Sequence, residues 1–98
     1  MFKVTVTSVR PTPDVSFFTR SNELNNYMTE LQVDKKCLKE VRIMSTDKLT
    51  FTYQSFWKSE EDYEEYRSSS LVADYNSNKD VYNSTNGITS FIVKEHLP

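Results

Sequence analysis

Five aromatic side chains fall between residues 53 and 66: Tyr53, Phe56, Trp57, Tyr63 and Tyr66. Rings of this kind can wall a small pocket, and their hydroxyls and indole N–H leave polar points inside an apolar wall. Tyr53, Trp57, Tyr63 and Tyr66 are therefore the candidate pocket residues, with a small aromatic molecule as the matching ligand. The competing assignment for the same rings is a filled aromatic core. Glu60, Glu61, Asp62, Glu64 and Glu65 form an acidic run. Carboxylates so close together can do acid–base work or hold a divalent cation. Here three of them complement the positive end of a helix, and the others are expected in solvent. Lys35, Lys36, Lys39 and Arg42 form a small basic patch without the interleaved aromatics that nucleic-acid binding uses. Nucleic acid is not an expected partner. His96 lies at a strand end and is expected to play no catalytic part. Cys37 has the character of a small buried hydrophobe at the start of a strand.

Composition removes several classes of chemistry. A single glycine, Gly87, excludes Gly-rich phosphate loops and the dinucleotide fingerprint. One His and one Cys exclude a zinc site built from the usual ligands. No cofactor and no metal are expected. Twelve basic against fourteen acidic residues give a net charge of −2, so no global field draws nucleic acid or anionic lipid. No segment approaches the ~18 apolar residues of a membrane span. The first residues alternate in polarity instead of forming a signal peptide. With one cysteine there is no internal disulfide, and a reducing cytoplasm is the expected location. Asn83-Ser84-Thr85 matches a glycosylation sequon, a triplet common by chance.

The elements that must position these residues follow from hydrophobic spacing. The 98 residues suit one domain, 1–98. Phe2, Val4 and Val6 alternate with Lys3, Thr5 and Thr7, which predicts a first strand ended by Pro11 and Pro13. Residues 10–20 form an irregular loop pinned by Phe17 and Phe18. Leu24, Tyr27, Met28 and Leu31 make one stripe of a helix over about 21–32. A second strand spans about 38–44, with Val41 and Ile43 on one face and Glu40 and Arg42 on the other. Ser45-Thr46-Asp47 supplies a turn. A third strand, 48–57, places Leu49, Phe51, Tyr53 and Trp57 on one face. Ser59 starts a second helix with an imperfect capping box to Asp62. Ser68–Ser70 weaken that helix. Residues 71–86 are expected to be a polar stretch with a short helical turn near 79–82. Asn86-Gly87 is a turn, and residues 88–97 are the last strand.

The order is β-α-β-β-α-β, an α+β ferredoxin-like arrangement: a four-stranded antiparallel sheet with two helices on one face and strand order 4-1-3-2. Val41 and Ile43 are assigned to the helix-covered face with Phe2, Val4 and Val6. Glu40 and Arg42 are assigned to a Thr-rich open face with Thr5, Thr7, Thr50 and Thr52. That open face, together with the edge of the last strand, is the expected surface of self-association.

The segment Phe56-Trp57-Lys58-Ser59-Glu60-Glu61-Asp62-Tyr63-Glu64-Glu65-Tyr66-Arg67 resembles the antibiotic biosynthesis monooxygenase family of dimeric α+β barrels. In that family a Trp on the third strand precedes a short helix start. The resemblance implies a homodimer whose sheets face each other, and a pocket between sheet and helices in each subunit. Some members oxidise aromatic substrates without a cofactor, and related members degrade haem. Trp57 matches the family Trp. Where the family often has a His about nine residues further on, this chain has Tyr66. Its first strand offers Thr5, Thr7 and Ser8 in place of an Asn. Tyrosine is a different iron ligand from histidine and does not titrate near neutral pH, which disfavours haem degradation. Two functions follow as expectations. The first is a small dimeric accessory or phage-type protein that binds a ligand or partner without catalysis. The second is a cofactor-independent monooxygenase-like enzyme acting on a small aromatic substrate.

Overall fold

Three serines start the three helices. In the computed structural model, which describes all 98 residues, Ser21, Ser59 and Ser69 stand in extended backbone. Each hydroxyl accepts an N–H one turn on, from Leu24 at 3.2 Å, Asp62 at 3.2 Å and Val72 at 3.4 Å. These bonds satisfy donors that a helix start otherwise leaves unpaired. The elements are β1 (Phe2–Val9), α1 (Asn22–Val33), β2 (Cys37–Met44), β3 (Thr50–Trp57), α2 (Glu60–Ser68), α3 (Ser70–Asn86) and β4 (Thr89–His96). The four strands form one antiparallel sheet in the order β2-β3-β1-β4. This is the expected ferredoxin-like order, read from the opposite edge. No helix is long and apolar enough to cross a membrane.

Two features differ from the sequence expectation. The polar stretch 71–86 is not irregular: it forms α3, so three helices cover the sheet where two were expected. Its many Asn, Ser and Asp residues are poor helix formers. Caps at both ends and an inward stripe of Val72, Tyr75, Lys79 and Asn83 offset that weakness. At its C-terminus Gly87 takes the left-handed conformation, φ 70°, and its N–H returns to the Asn83 carbonyl. This is the residue type that closes a helix there without strain.

The second difference is the phase of β2. Cys37 pairs with Trp57, but Lys39 already pairs with Phe56, so Leu38 is an extra residue in the ladder. One extra residue turns every later side chain to the other face. Glu40, Arg42 and Met44 lie opposite Ser55, Tyr53 and Phe51, on the helix-covered face. Val41 and Ile43 lie opposite Gln54 and Thr52, on the open face. The expected assignment of these residues is therefore reversed. The open face is less polar than expected, because Val41, Ile43, Phe56, Phe91 and Val93 sit among its threonines.

The dry core occupies one end of the layer between sheet and helices. Phe2, Val4, Met28, Leu31, Cys37, Trp57 and Tyr63 form a single buried cluster. Trp57 is 0% exposed, and its indole N–H donates to Ser55 Oγ at 2.9 Å. A buried indole keeps its polar atom satisfied in this way.

Candidate functional site

At the other end of the same layer the packing opens into a cavity of about 430 Å3. The sheet floor comes from Val4, Val6, Ser8, Phe51 and Tyr53. The walls come from Tyr63 and Tyr66 on α2, from Tyr75, Lys79 and Asn83 on α3, and from Phe17 and Phe18 in the loop after β1. A second hollow of about 360 Å3 adjoins the first and shares Val6, Tyr63, Lys79 and Ile92 with it, extending the space toward β4.

The 10–20 loop is held as a wall by its own contacts. Arg10 donates from Nε to the Lys48 carbonyl at 2.7 Å and from Nη1 to the Val15 carbonyl at 2.8 Å. Its guanidinium lies over the Phe17 ring, 4.6 Å from the centroid. Phe18 packs on Tyr75 and Tyr82, with centroids 5.5 and 5.3 Å away. The Tyr82 hydroxyl donates to the Ser16 carbonyl at 2.5 Å.

The four sequence-selected residues separate into two groups. Tyr53, Tyr63 and Tyr66 line the cavity. Trp57 lies one layer behind, in the core, with Tyr63 edge-on at 5.5 Å and Tyr66 at 4.9 Å. Strand periodicity explains the separation. Trp57 is opposite Phe2 at the closed end of the sheet, whereas Tyr53 is opposite Val6, four residues along. Trp57 is thus a supporting residue and not a lining one.

Glu40, which the bulge turns inward, organises the polar wall. Its Oε1 accepts from Gln32 Nε2 at 3.1 Å. Its Oε2 accepts from the Tyr53 hydroxyl and from Arg42 Nη2 at 3.3 Å. Arg20 Nη1 lies 3.0 Å from the same oxygen, but no acceptor is aligned with its N–H, so this contact is an ion pair without a directed hydrogen bond. Burial holds the Tyr53 hydroxyl protonated far above the usual tyrosine range, and the bond to Glu40 and its charge add to the effect. Burial likewise raises Tyr66, Tyr63 and Tyr75, against a smaller opposing pull from nearby Arg side chains. The Tyr53 O–H is already committed to Glu40; the Tyr63, Tyr66 and Tyr75 phenols can donate hydrogen bonds to a ligand, and none of the four is a base at neutral pH. Lys79 moves the other way: burial lowers its pKa, and neighbouring Asp80 only partly restores it.

Of the remaining sequence candidates, only Arg42 joins this site. Of the acidic run, Glu60 meets His96 at 3.2 Å, Glu64 meets Arg67 at 2.8 Å and Lys94 at 3.8 Å, and Glu65 meets Lys36 at 3.7 Å. No three His, Cys, Asp or Glu side chains converge as a metal cage would require. The basic patch is dispersed. Lys36 pairs with Glu65, Lys39 lies over Phe56 on the open face, and Arg42 turns to the helix-covered face. Arg42, which the sequence placed in the basic patch, lines the cavity, and Arg20, Lys79, Asn83 and Tyr75 are lining residues absent from the sequence selection. The spacing of Val72, Tyr75, Lys79 and Asn83 was the available signal for the last three.

Neither a protein-family model nor a curated protein matches this sequence. Solved structures match the fold along almost its whole length. SnoaB, a cofactor-independent oxygenase from Streptomyces nogalater, superposes with a TM-score of 0.63 at 8% identity, covering 99% of this chain and 91% of that one. A structure described as an antibiotic biosynthesis monooxygenase gives 0.59 at 14% identity, covering 100% of both chains. A dimeric ferredoxin-like protein from an uncultured marine organism gives 0.60 at 8% identity, covering 99% of this chain and 94% of that one. The chain has the ferredoxin-like fold shared by antibiotic biosynthesis monooxygenases. The resemblance first visible at residues 56–67 therefore extends to the architecture.

Proposed function

We propose that this protein is a homodimeric ligand-binding protein whose cavity takes one small aromatic molecule. The observation that carries this reading is the 430 Å3 cavity lined by Tyr53, Tyr63, Tyr66, Phe17, Phe18 and Phe51. That volume lies within the range of small-molecule sites, and a mostly apolar wall with a few convergent polar groups is their usual chemistry. Trp57 lies directly behind Tyr63 and Tyr66, so its fluorescence should report occupancy. Titration with naphthalene-type ligands should give saturable quenching, and Val6→Phe, which fills the floor, should abolish it. Absence of saturation with any such ligand, or equal binding by the Val6→Phe protein, would refute the cavity reading.

Dimerisation through the open sheet face belongs to the same proposal. Phe91 is 58% exposed there, Ile43 50% and Val93 46%, a concentration of apolar surface that a partner sheet would cover. The dimeric description of one fold neighbour supports it. A cytoplasmic location fits the free, buried Cys37.

A second reading is oxygenation of the bound ligand by O2 without a cofactor, supported by the description of SnoaB. Its test is oxygen consumption with ligands that saturate the quenching assay. Saturation without oxygen uptake would leave the non-catalytic binding protein as the function.

A further inference from the structure

The lining of the cavity is electrostatically one-sided. It includes the cations Arg20, Arg42, Arg67 and Lys79 and no Asp or Glu; the adjoining hollow adds Lys94 and one carboxylate, Asp80, which makes no ion pair with Lys79. Three of the cavity's cations are neutralised from behind: Arg20 and Arg42 by Glu40, and Arg67 by Glu64. Lys79 has neither an ion pair nor a hydrogen bond, although burial already disfavours its charge. One turn further along α3, Asn83 is only 7% exposed and lines the same cavity, and its carboxamide finds no partner in the chain. Residues four apart on a helix stand side by side on one face. An ammonium and an amide N–H2 therefore stand together on the cavity wall, both without partners. Neither head group is sealed off, since Arg20 Nη1 is the one fully buried side-chain polar atom without a hydrogen-bond partner; both line the cavity, where a ligand can reach them.

Resting on the proposed aromatic-ligand cavity, we propose that Lys79 and Asn83 form an anion subsite. The ligand is then an aromatic molecule bearing an anionic oxygen group, a carboxylate or an ionised phenol. The rings of Tyr53, Tyr63 and Tyr66 hold its apolar body, and the anionic oxygen meets the Lys79 ammonium and the Asn83 N–H2. The charged contact gives the missing counterion to Lys79 in a partly desolvated setting, where such bonds are strongest.

Isothermal titration with three near-isosteric probes tests this: 2-naphthoate, 2-naphthalenemethanol and 2-naphthylmethylammonium. Wild-type protein should bind naphthoate about ten-fold or more tighter than the alcohol, as expected for one charge-assisted contact, and the ammonium most weakly. Lys79→Met should remove the preference, bringing naphthoate down to within about two-fold of the alcohol measured on the same variant. Lys79→Arg should retain the preference. Lys79 is only half-buried, and an unchanged far-UV spectrum for each variant excludes loss of fold. If the three probes bind wild type equally, or Lys79→Met keeps the preference, the anion subsite is refuted while the aromatic cavity stands. If none of the three binds, the cavity reading fails, and the subsite with it.

Discussion

Replacing Glu40 by Gln should destabilise the protein far more than a surface charge change would. The Glu40 side chain is 11% exposed and that of Arg20 is 15% exposed, so the two charges meet largely out of water. Removing one partner of a buried pair costs about 3–5 kcal/mol, because the remaining charge stays desolvated. A domain of this size has a total stability of about 5–15 kcal/mol. The expected fall in melting temperature is at least about 12 °C, at roughly 4–8 °C per kcal/mol. Gln keeps an acceptor for the Tyr53 hydroxyl, so the substitution isolates charge from hydrogen bonding. Urea unfolding followed by far-UV circular dichroism and by Trp57 fluorescence gives the free energy and checks two-state behaviour. The companion variant Arg20→Met with Glu40→Gln removes both charges and should recover most of the loss, to within about 1–2 kcal/mol of wild type. A loss below about 1 kcal/mol for Glu40→Gln would mean that the pair behaves as a solvated one. Strict additivity in the double variant would mean that Arg20 and Glu40 are not coupled. Either result would refute the reasoning.

Stability should fall on the alkaline side. Burial pushes the Cys37 thiol up to about 11 and raises Tyr53 and Tyr66 well beyond their usual range. The unfolded chain then loses these protons first, so above about pH 9 it binds fewer protons than the native state and unfolding becomes easier as pH rises. Cys37 alone contributes at most about 3 kcal/mol between pH 9 and 11. Urea midpoints measured from pH 7 to 11 should be level and then decline, with Cys37→Ala delaying the onset; a level or rising curve above pH 9 would contradict this. Gly87→Ala should cost about 1 kcal/mol from its left-handed backbone. The added methyl itself meets only Pro11 Cγ, at an ordinary 3.6 Å, so Gly87→Asn should cost less than Ala, and the reverse order in thermal melts would sink the account. Ile43→Lys with Val93→Lys should convert a dimer into a monomer by analytical ultracentrifugation, and a wild-type monomer at tens of micromolar would remove the sheet-face dimer.

The order of the strands was legible because alternating residues and short turns survive in the sequence undisturbed. Phe2, Val4 and Val6 point where their alternation says, and Trp57 ends β3 as the chemistry of Ser59 at the next helix start implies. The site was only half legible. Tyr53, Tyr63 and Tyr66 were visible as rings with polar tips. Trp57 carried the same signature, and only its pairing with Phe2 assigns it to the core. Helix α3 was hidden because its composition favours loops residue by residue, and two good caps with one inward stripe reverse that preference collectively. The β2 reversal was not legible at all. A bulge has no fixed residue signature, and Val41 and Ile43 look like core residues in either phase.

That reversal gives the site its electrostatics. Had β2 paired without the extra Leu38, Val41 would stand opposite Tyr53, and Glu40 and Arg42 would lie on the open face. The cavity wall would then be apolar at this point, and Arg20 would have no nearby carboxylate. With the bulge, Glu40 reaches Tyr53, Gln32, Arg20 and Arg42 together, and Val41 and Ile43 are released to the open sheet face. One inserted residue therefore has two coupled effects. It places a carboxylate behind the cavity wall, neutralising the guanidiniums there and leaving Lys79 on the opposite wall as the cation without a partner. It also makes the outer face more apolar, the condition a partner sheet requires. The polar patch on the cavity wall and the added apolar surface of the open face are products of the same register shift, so a change that restored regular pairing in β2 would weaken both.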